Sequence, residues 1–316
     1  GCGESGCGSC TVHVTRKKPK SDWATYAVYS CNVKVWTLHG CKVTTIEGVG
    51  KPDASIHPVQ EKLYKNHGVQ CGFCSPGMVM SMLAEKDIED VGKCIQGNLC
   101  RCTGYRAIVE SFQSLTQEHL LLADEIIPNN IAAPFKDSKS LCYAPTTLEE
   151  ARDLIKQGDH EFVHGGTGYY QIKSEASKTK IKIYLGLIEE LNAISIHDDK
   201  IVIGAGVKLS DVGKALEAIP FCKPFVDALG TLASPQIRNQ ASMGGAVMWP
   251  HPASDLWPLF LVFGCKVVLM DEETETKEIN IEALPDEFRG LLLGVIIPKP
   301  EAGYEGIDRK STRLNS

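Results

Sequence analysis

The sequence predicts a multidomain α+β protein, and four observations along the chain support this. Residues 1–51 combine glycine-rich loops with short alternating stretches such as TVHVT, a pattern typical of strands. From about His57 the apolar residues recur at helical spacing, which predicts four helices within residues 52–120. Residues 121–141 contain two prolines and no clear period, so we interpret them as a linker. Beyond the linker, helix and strand patterns alternate.

Individual elements follow from the same patterns. In the first part, strands are predicted at 11–15, 33–38 and 43–47. A helix at 58–66 has Pro58 in its first turn, and a second begins at Ser75-Pro76. The spacing of Asp87 and Asp90 resembles a capping box for a third helix, and Ile108 lies in the apolar stripe of a fourth. Beyond the linker, the patterns predict helices at 147–157, 210–218 and 255–263, and strands ending at 163 and spanning 180–185, 195–197, 200–203 and 266–270.

Bulk properties narrow the class of protein. A chain of 316 residues is long enough for two or three domains. Its net charge of -6 argues against non-specific nucleic-acid binding, and no apolar run reaches the roughly 18 residues of a membrane helix. No signal peptide is recognisable. Because the chain begins with Gly1 in the middle of a motif, we expect that the true N-terminus is missing.

Thirteen cysteines are many for this chain, and ten of them precede residue 103. In a small secreted protein a high count would suggest disulfides. Here the cysteines form close pairs beside glycines, which is typical of metal or cluster ligands in a reducing compartment. We therefore interpret these groups as ligand sets.

The first cysteine set lies in GCGESGCGSC and is completed 21 residues later. It consists of Cys2, Cys7, Cys10 and Cys31, in the C-x4-C-x2-C…C spacing of plant-type ferredoxins. Glycines allow the backbone to approach a cluster and to direct N–H groups at its sulfurs. Zinc is the competing ligand, but structural zinc sites usually use two C-x2-4-C pairs, so the spacing favours a [2Fe–2S] cluster.

The second cysteine set combines CGFC with CRC and consists of Cys71, Cys74, Cys100 and Cys102. Predicted helix N-termini beside these cysteines favour anionic ligands through the helix dipole. On spacing alone, the set fits an iron–sulfur cluster, a zinc site or, for the C-x-x-C pair, a thioredoxin-type redox site.

Two glycine-rich loops mark the C-terminal half. The sequence GGTG at 165–168 follows an apolar strand end and can present backbone N–H groups to a pyrophosphate. The sequence QIRNQASMGGA at 236–246 is a second loop rich in small residues. Most such loops are ordinary turns, so the residues alone leave a dinucleotide site and two plain turns as open alternatives.

The stretches GCGESGCGSC, HPVQEKLYKNHGVQCGFCSPGMVMSM and QGNLCRCTGYRAI closely resemble the xanthine dehydrogenase/aldehyde oxidase family of molybdenum hydroxylases. The resemblance covers residues 1–307, and the eight cysteines above occupy the family's ligand positions for two [2Fe–2S] clusters. Gln70 occupies the position of a family glutamine near the molybdopterin. The implied domains are a truncated β-grasp, ferredoxin-like domain at 1–51, a four-helix [2Fe–2S] domain at 52–120 and, after the linker at 121–141, an α+β FAD-binding domain of the PCMH type at 142–307.

Three stretches resemble the family's FAD-binding domain: YAPTTLEEA, the glycine turn, and IRN…SMGG…SDL. The resemblance implies that the pyrophosphate is wrapped by Phe162, Val163, His164, Gly165, Gly166, Thr167, Gly168 and Tyr169. It implies that the pocket is completed by Leu232, Ser242, Ala246, Asp255 and Leu292. Two of these residues depart from xanthine dehydrogenases, which usually have asparagine at the position of Ala246 and phenylalanine at that of Leu232.

The resemblance also implies a function. The chain would be the electron-transfer portion of a molybdenum hydroxylase, in which electrons pass from molybdenum through the second cysteine set, the first set and FAD to NAD or O2. The implied substrate is a small purine or aldehyde, the implied assembly a homodimer and the implied location the cytoplasm or the peroxisome. No catalytic residue is assigned within the chain. A standalone iron–sulfur flavoprotein carrier and a zinc-binding interaction module are the alternatives.

Two features fall outside this pattern. Residues 308–316 do not resemble the family, and we interpret them as the product of a sequencing adapter. Five cysteines match no ligand position and are predicted to be small buried apolar side chains: Cys41, Cys94, Cys142, Cys222 and Cys265.

Overall fold

The computed structural model of the chain describes most of the residues that bear on function. The described residues are 1–17, 23–50, 56–85, 87–120, 135–137, 142–157, 159–168, 181–249, 251–271, 273, 275–285 and 288–301. The predicted adapter segment and Tyr169 lie outside them.

An antiparallel three-stranded sheet forms in the N-terminal part, in the order β2-β1-β3. Its strands are β1 (Thr11–Lys17), β2 (Trp23–Tyr29) and β3 (Lys42–Thr44). Because side chains alternate along a strand, Val14 packs into a small core with Tyr26 and Val28. The neighbouring His13 points the other way, and its Nε2 is 2.7 Å from the carbonyl oxygen of Met80 in the helical part that follows.

The structure corrects two predicted strands. Residues 33–38 form a 3-10 helix, Val35–Leu38, rather than a strand. The cause is local: the N–H and Oγ1 of Thr37 both donate to the carbonyl of Lys34, at 2.9 and 2.7 Å, and close a tight turn. The strand predicted at 43–47 ends at Thr44, and a 3-10 turn follows at Ile46–Gly48.

Helices dominate the described residues between 56 and 120. They are α1 (Pro58–Lys65), α2 (Ser75–Glu85), α3 (Val91–Cys94) and α4 (Arg106–Gln113). His57 caps α1 reciprocally: its Nδ1 accepts from the N–H of Val59 at 3.3 Å, and its own N–H donates to Gln60 at 3.2 Å. Asp90 caps α3 by accepting from the N–H of Lys93 at 2.9 Å. The inner faces bury a shared core that includes Val59, Leu63, Met78, Met82, Ile108 and Phe112.

The C-terminal half contains two sheets. A four-stranded sheet has the order β4-β5-β7-β6, and a five-stranded antiparallel sheet has the order β11-β10-β12-β9-β8. The strands are β4 (Phe135–Asp137), β5 (Cys142–Ala144), β6 (His160–Val163), β7 (Ile181–Tyr184), β8 (Ile194–Ile196), β9 (Lys200–Gly204), β10 (Lys266–Met270), β11 (Thr276–Asn280) and β12 (Leu291–Pro298). Strand β7 pairs in parallel with both β5 and β6, which brings the end of β6 beside Tyr184.

The helices of this half contribute to two cores: the first of them packs with Ile183 of the four-stranded sheet, and most of the later ones supply the core of the five-stranded sheet. They are α5 (Leu148–Ile155), α6 (Leu209–Leu216), α7 (Lys223–Thr231), α8 (Pro235–Arg238), α9 (Met243–Val247) and α10 (Trp257–Val262). Phe225 and Phe260 pack together against Val267 and Val295 of the sheet. The mixed α+β class predicted from the sequence is therefore confirmed.

Two smaller predictions have mixed outcomes. Strand β4 lies inside the segment predicted as a linker and pairs antiparallel with β5; the rest of that segment lies outside the described residues. Of the five unmatched cysteines, four are buried as predicted, whereas Cys41 is half-buried.

In the part of the chain that the structure describes, no helix has the length and apolar character needed to span a bilayer.

Candidate cofactor sites

The first cysteine set comes together in the loop before β1 and at the end of β2. The thiol of Cys2 accepts the backbone N–H groups of Glu4 and Gly6, both at 3.3 Å, and it also interacts with the thiol of Cys7. The N–H of Glu4, followed by that of Gly6, lowers the pKa of Cys2 to about 7. Cys10 and Cys31 form a second thiol contact, and burial raises the pKa of Cys31.

The second cysteine set gathers at the start of α2 and in the loop before α4. The sulfur atoms of Cys71 and Cys102 are 3.6 Å apart, and the thiols of Cys74 and Cys100 interact with each other. The Sγ of Cys100 is also 3.1 Å from the Oγ1 of Thr103. Burial raises the pKa of Cys74 to about 12, whereas the exposed Cys71 has a lowered pKa, mainly through the N–H of Phe73.

The pairing of the thiols bears on which metal group the sets fit. A structural zinc ion needs four ligands around a single centre. A [2Fe–2S] cluster with four cysteines has two irons to share them, and each set here consists of two thiol pairs. The donor sets therefore fit two-iron clusters better than zinc.

The loops that carry the two cysteine sets are hydrogen-bonded to each other. The N–H of Leu99 donates to the carbonyl of Cys7 at 2.9 Å, and the hydroxyl of Ser9 donates to the carbonyl of Phe73 at 2.7 Å. The amide of Asn98 donates to the carbonyl of Gly8 at 3.2 Å. Cys7 belongs to the first set, and Leu99 directly precedes Cys100 of the second set. This contact therefore holds the two sets side by side.

A buried polar network ties the C-terminal half to the same loops. The hydroxyl of Tyr29 is 2.8 Å from the carbonyl of Gly97 and 2.9 Å from the hydroxyl of Ser234. The amide of Gln236, which is fully buried, donates to the hydroxyl of Ser81 at 2.8 Å and to Asn98 at 3.2 Å. The sequence reasoning missed this network, because single polar residues within helices and turns carry no local signal of it.

The turn predicted to hold the pyrophosphate follows β6. Phe162 and Val163 end that strand, and Gly166 adopts a left-handed backbone with φ of 65°. An added Cβ at Gly165 would overlap the carbonyl oxygen of Gln240, so the turn lies directly against the backbone of the second glycine-rich loop. Gly168 lies beside the ring of Trp249, which is 3.7 Å from the position of an added Cβ. His164 and Thr167 complete the described part of the turn; both residues are half-buried, and the ring Nδ1 of His164 is fully buried.

The second loop is ordered by its own hydrogen bonds. The hydroxyl of Ser242 accepts the N–H of Gly245 at 3.1 Å and thereby caps α9, in which Ala246 is half-buried. The amide Nε2 of Gln240 donates to the carbonyl of Gly165 at 2.6 Å. The structure therefore brings together the two loops that the sequence predicts to form one site.

The remaining predicted residues occupy different surroundings. Leu292 lies in the core of the larger sheet, and Leu232 and Ala246 pack against the same core. Asp255 is exposed just before α10 and shares no hydrogen bond with the turn in the described part of the chain. Gln70 is exposed on the helical part, next to Cys71, where its amide donates to the carbonyl of His67 at 3.3 Å.

Cationic side chains line a small cavity behind the turn. Arg16 of β1 donates to the hydroxyl of Tyr184 at 3.2 Å, and Lys208 lines the same cavity with His164 and Gln240. Burial, together with the charges of Lys208 and Arg16, holds the pKa of His164 well below 6.5. The positive potential of the two cations favours an anion at the neighbouring turn.

Comparison with known protein families supports a [2Fe–2S] binding domain in the helical part and an FAD binding domain in the C-terminal half. Residues 45–113 match the family profile described as [2Fe-2S] binding domain. Residues 134–300 match the profile described as FAD binding domain in molybdopterin dehydrogenase. Together they cover both the second cysteine set and the two glycine-rich loops.

Individual relatives agree with the profiles. The chain is 32% identical to aldehyde oxidase 1 of Oryctolagus cuniculus over 87% of its own length and 26% of the relative's. It is 33% identical to xanthine dehydrogenase of Drosophila pseudoobscura pseudoobscura over 84% of its own length and 25% of the relative's. The chain thus spans about a quarter of the length of these relatives.

Among solved structures, a carbon monoxide dehydrogenase from Hydrogenophaga pseudoflava aligns with a TM-score of 0.45 and 23% identity, over 54% of this chain and 63% of that chain. The family is shown by the sequence matches. The chain therefore belongs to the molybdenum hydroxylase family of the xanthine dehydrogenases and aldehyde oxidases, and it contains that family's [2Fe–2S] binding and FAD binding domains.

Proposed function

We propose that this chain is the electron-transfer portion of a molybdenum hydroxylase. The observation that carries the proposal is the direct hydrogen bonding between the two cysteine-bearing loops and between the C-terminal half and both of them. Electron transfer requires centres held at short, constant separations, and these contacts supply that rigidity. The clusters and FAD supply one-electron and two-electron redox chemistry when bound.

The proposed ligands of the two [2Fe–2S] clusters are the two cysteine sets. Cys2, Cys7, Cys10 and Cys31 would hold the first cluster, and the contacts of Cys2 with Cys7 and of Cys10 with Cys31 bring these donors together. Cys71, Cys74, Cys100 and Cys102 would hold the second, with Cys71 in contact with Cys102 and Cys74 with Cys100. The backbone N–H groups at Cys2 stabilise its thiolate and raise the affinity for iron at neutral pH.

The proposed FAD site consists of the turn after β6 and the loop before α9. Residues 162–169 would hold the pyrophosphate, and Leu232, Ser242, Ala246, Asp255 and Leu292 would complete the pocket. The packing of Gly165 on the Gln240 backbone supports the first group, and the shared core of Leu232, Ala246 and Leu292 supports part of the second. The exposed Gln70 would face the molybdopterin beside the second cysteine set.

Several finer features belong to the same proposal. Residues 1–51 would form the β-grasp domain, 52–120 the four-helix domain and 142–307 the PCMH-type FAD domain. Because β4 pairs with β5, the sheet of the FAD domain would begin before residue 142. The substrate of the whole protein would be a purine or an aldehyde, its acceptor NAD or O2 and its assembly a homodimer. These follow from the family, as does a cytoplasmic or peroxisomal location.

Electron paramagnetic resonance tests the proposal. The reduced, cluster-loaded chain is expected to show two distinct [2Fe–2S] signals, because the two thiol sets differ in burial and in hydrogen bonding. Cys74→Ser should remove one signal and spare the other. Cys94→Ser is the matched control: this thiol is also buried in the helical part, but it donates to the carbonyl of Asp87 at 3.1 Å instead of joining either set. Loss of both signals, or of neither, in Cys74→Ser would contradict separate sites.

A further inference from the structure

We propose that Gln240 is a positioning residue that couples the flavin turn to the first cysteine set, so that a diphosphate bound at the turn changes the properties of that cluster. The inference depends on the proposed FAD and cluster sites and adds a link between them. Gln240 belongs to neither group of predicted ligands. No local sequence signal marks it, and only the folded chain shows what it contacts.

The side chain of Gln240 joins two parts of the molecule with one amide group. Its Nε2 donates to the carbonyl of Gly165 at 2.6 Å and to the carbonyl of Asn32 at 3.2 Å. The amide nitrogen carries two hydrogens, and each of these two bonds uses one of them. Gln240 is 8% exposed, so water competes little for these bonds. Breaking either bond would leave a carbonyl oxygen without its donor in a buried place.

At one end, the bond reaches the segment that carries Cys31. Asn32 follows Cys31 directly and is 2% exposed, so its carbonyl cannot move without moving the ligand. The N–H of Ser30, on the other side of Cys31, donates to the carbonyl of Cys10 at 3.1 Å. The thiols of Cys10 and Cys31 are also in contact. A displacement of Asn32 is therefore transmitted to both members of one thiol pair.

At the other end, the bond reaches the turn proposed to bind the pyrophosphate. Gly165 lies so close to the carbonyl oxygen of Gln240 that an added Cβ would overlap it. Main chain and side chain of Gln240 thus both hold the turn. The N–H of Gln240 donates to the carbonyl of Ile237 at 3.0 Å, which anchors the residue to the end of α8. An anion at the turn would be attracted by Arg16 and Lys208 behind it, and the resulting shift of the turn would act on Gln240.

Coupling between two sites is reciprocal. If a diphosphate at the turn changes the free energy of one state of the cluster, the state of the cluster must change the diphosphate affinity by the same factor. The flavin ring itself complicates the measurement, because a redox-active ring near a cluster interacts with it through space. ADP avoids this, since it carries the adenine and the diphosphate but no flavin ring.

The experiment is a titration of the FAD-free, cluster-loaded chain with ADP. Calorimetry measures binding, and electron paramagnetic resonance with redox titration follows the clusters. The signal of the first set is identified as the one that survives in Cys74→Ser. In the wild type, ADP is expected to shift the g-values and midpoint potential of that signal and to leave the second signal unchanged. In Gln240→Met, which keeps the volume but has no donor, the shift should disappear and ADP should bind about tenfold more weakly.

Asn239→Ala is the matched control. Asn239 is the adjacent amide, is similarly buried and crosses the same interface, where it donates to the carbonyl of Ala27 at 3.1 Å, but it bonds neither the turn nor Asn32. The ADP-dependent shift should persist in this variant. If Gln240→Met does not fold, Gln240→Leu replaces it, because its uncharged side chain also has no donor for either carbonyl.

The outcomes separate this inference from the function on which it depends. ADP binding without a shift of the first signal in the wild type overturns the coupling and leaves the FAD site standing. A shift that persists in the folded Gln240 variant overturns the role of Gln240. Absence of ADP binding overturns the FAD-site proposal and the coupling with it.

Discussion

At the scale of single residues, backbone N–H groups and burial give the cysteines of the two sets different acidities. Hydrogen bonds from Glu4 and Gly6 lower the pKa of Cys2 to about 7, whereas burial raises that of Cys74 to about 12. A metal ion must displace the proton of any thiol it binds. Cys2 therefore presents a thiolate near neutral pH, while Cys74 loses its proton only when the metal binds.

Replacing Gly166 with valine should release FAD and leave both clusters in place. Gly166 has a φ of 65°, a backbone conformation that a β-branched residue adopts only with strain, so the turn would lose the shape that presents its N–H groups. The flavin-to-protein ratio after gel filtration measures the effect, and the two resonance signals report on the clusters. Gly230→Val is the control, because nothing lies within 4 Å of an added Cβ there. Stoichiometric FAD in Gly166→Val would contradict the proposed site.

His164 should make the folded chain less stable at mildly acidic pH. Its folded pKa is held well below 6.5, chiefly by burial and then by Lys208 and Arg16, so the unfolded state binds more protons as the pH falls below 6.5. The free energy of unfolding is therefore fully retained above that pH. The contribution of neutral His164 is lost as the pH falls from 6.5 toward the folded pKa, at a slope of at most about 1.4 kcal/mol per pH unit.

Denaturant unfolding of the FAD-free chain between pH 7 and pH 5 measures this slope, as a difference between wild type and His164→Gln. The variant removes the titrating group and should show a shallower loss of stability. Identical slopes for the two proteins would show that His164 is not held neutral by the fold.

At the scale of elements, local capping and alternating patterns predict most starts and ends, but contacts decide the rest. The segment at 33–38 alternates like a strand, yet the two hydrogen bonds from Thr37 to Lys34 close it into the 3-10 helix Val35–Leu38. The sequence of strand β2, WATYAVY, has no apolar periodicity that distinguishes a strand from a buried helical turn. Its antiparallel pairing with β1 over seven residues makes it a strand. Pairing partners are remote in sequence, so single-segment patterns do not report on them.

Gly97→Ala should separate the C-terminal half from the cluster loops. An added Cβ at Gly97 would overlap the hydroxyl of Tyr29 and the Oε1 of Gln236, which are members of the buried polar network. We expect the free energy of unfolding to fall by about 1–3 kcal/mol, since the groups must move apart and leave polar atoms unsatisfied. Thermal unfolding measures the loss.

Gly92→Ala is the matched control in the same helical part, because its nearest neighbour, the Oδ1 of Asp90, is 3.5 Å from an added Cβ, an ordinary contact. This variant should be as stable as the wild type or slightly more so, since alanine favours helix. Equal stability of Gly97→Ala and the wild type would show that the network tolerates a methyl group and does not hold the parts together.

At the scale of the whole molecule, polar contacts between described residues join the N-terminal sheet to the C-terminal half. Arg16 bonds Tyr184, Tyr26 bonds Asp211 at 2.9 Å, and Tyr29 bonds Ser234, so each contact links the N-terminal sheet to the C-terminal half. Such bonds fix orientation, because they are directional and buried. The arrangement suits a protein in which the separation of redox centres must stay constant.

The chain of 316 residues, loaded with clusters and FAD, should not hydroxylate purines or aldehydes by itself. Hydroxylation needs an activated oxygen at molybdenum and a base to deprotonate it, and beyond Gln70 no residue of this chain matches the family's pterin-binding or catalytic positions. The test incubates the chain with xanthine or an aromatic aldehyde and a dye acceptor, beside a cluster-free control. Substrate-dependent dye reduction above that control would show that the active site is misplaced.

The sequence alone predicted the two cysteine sets, the two glycine-rich loops and the position of Pro58 in the first turn of α1. Close spacing within a loop brings Cys2, Cys7 and Cys10 together, whereas Cys31 and the pair Cys100 and Cys102 reach their sets only through the fold. Backbone conformation decides where glycine is needed. Family resemblance then assigned the cofactors, which the spacing of the second set had left open.

Only the tertiary structure decided which thiols pair, how the cluster loops contact each other and what Gln236 and Gln240 do. Gln240 bonds Asn32 across 208 residues of sequence, and Gln236 bonds Asn98 across 138. Such partners are brought together by burial of apolar surface, which is not directional and leaves no mark on the sequence near either residue. A glutamine acquires its role in this protein from the two carbonyls that the fold places beside it.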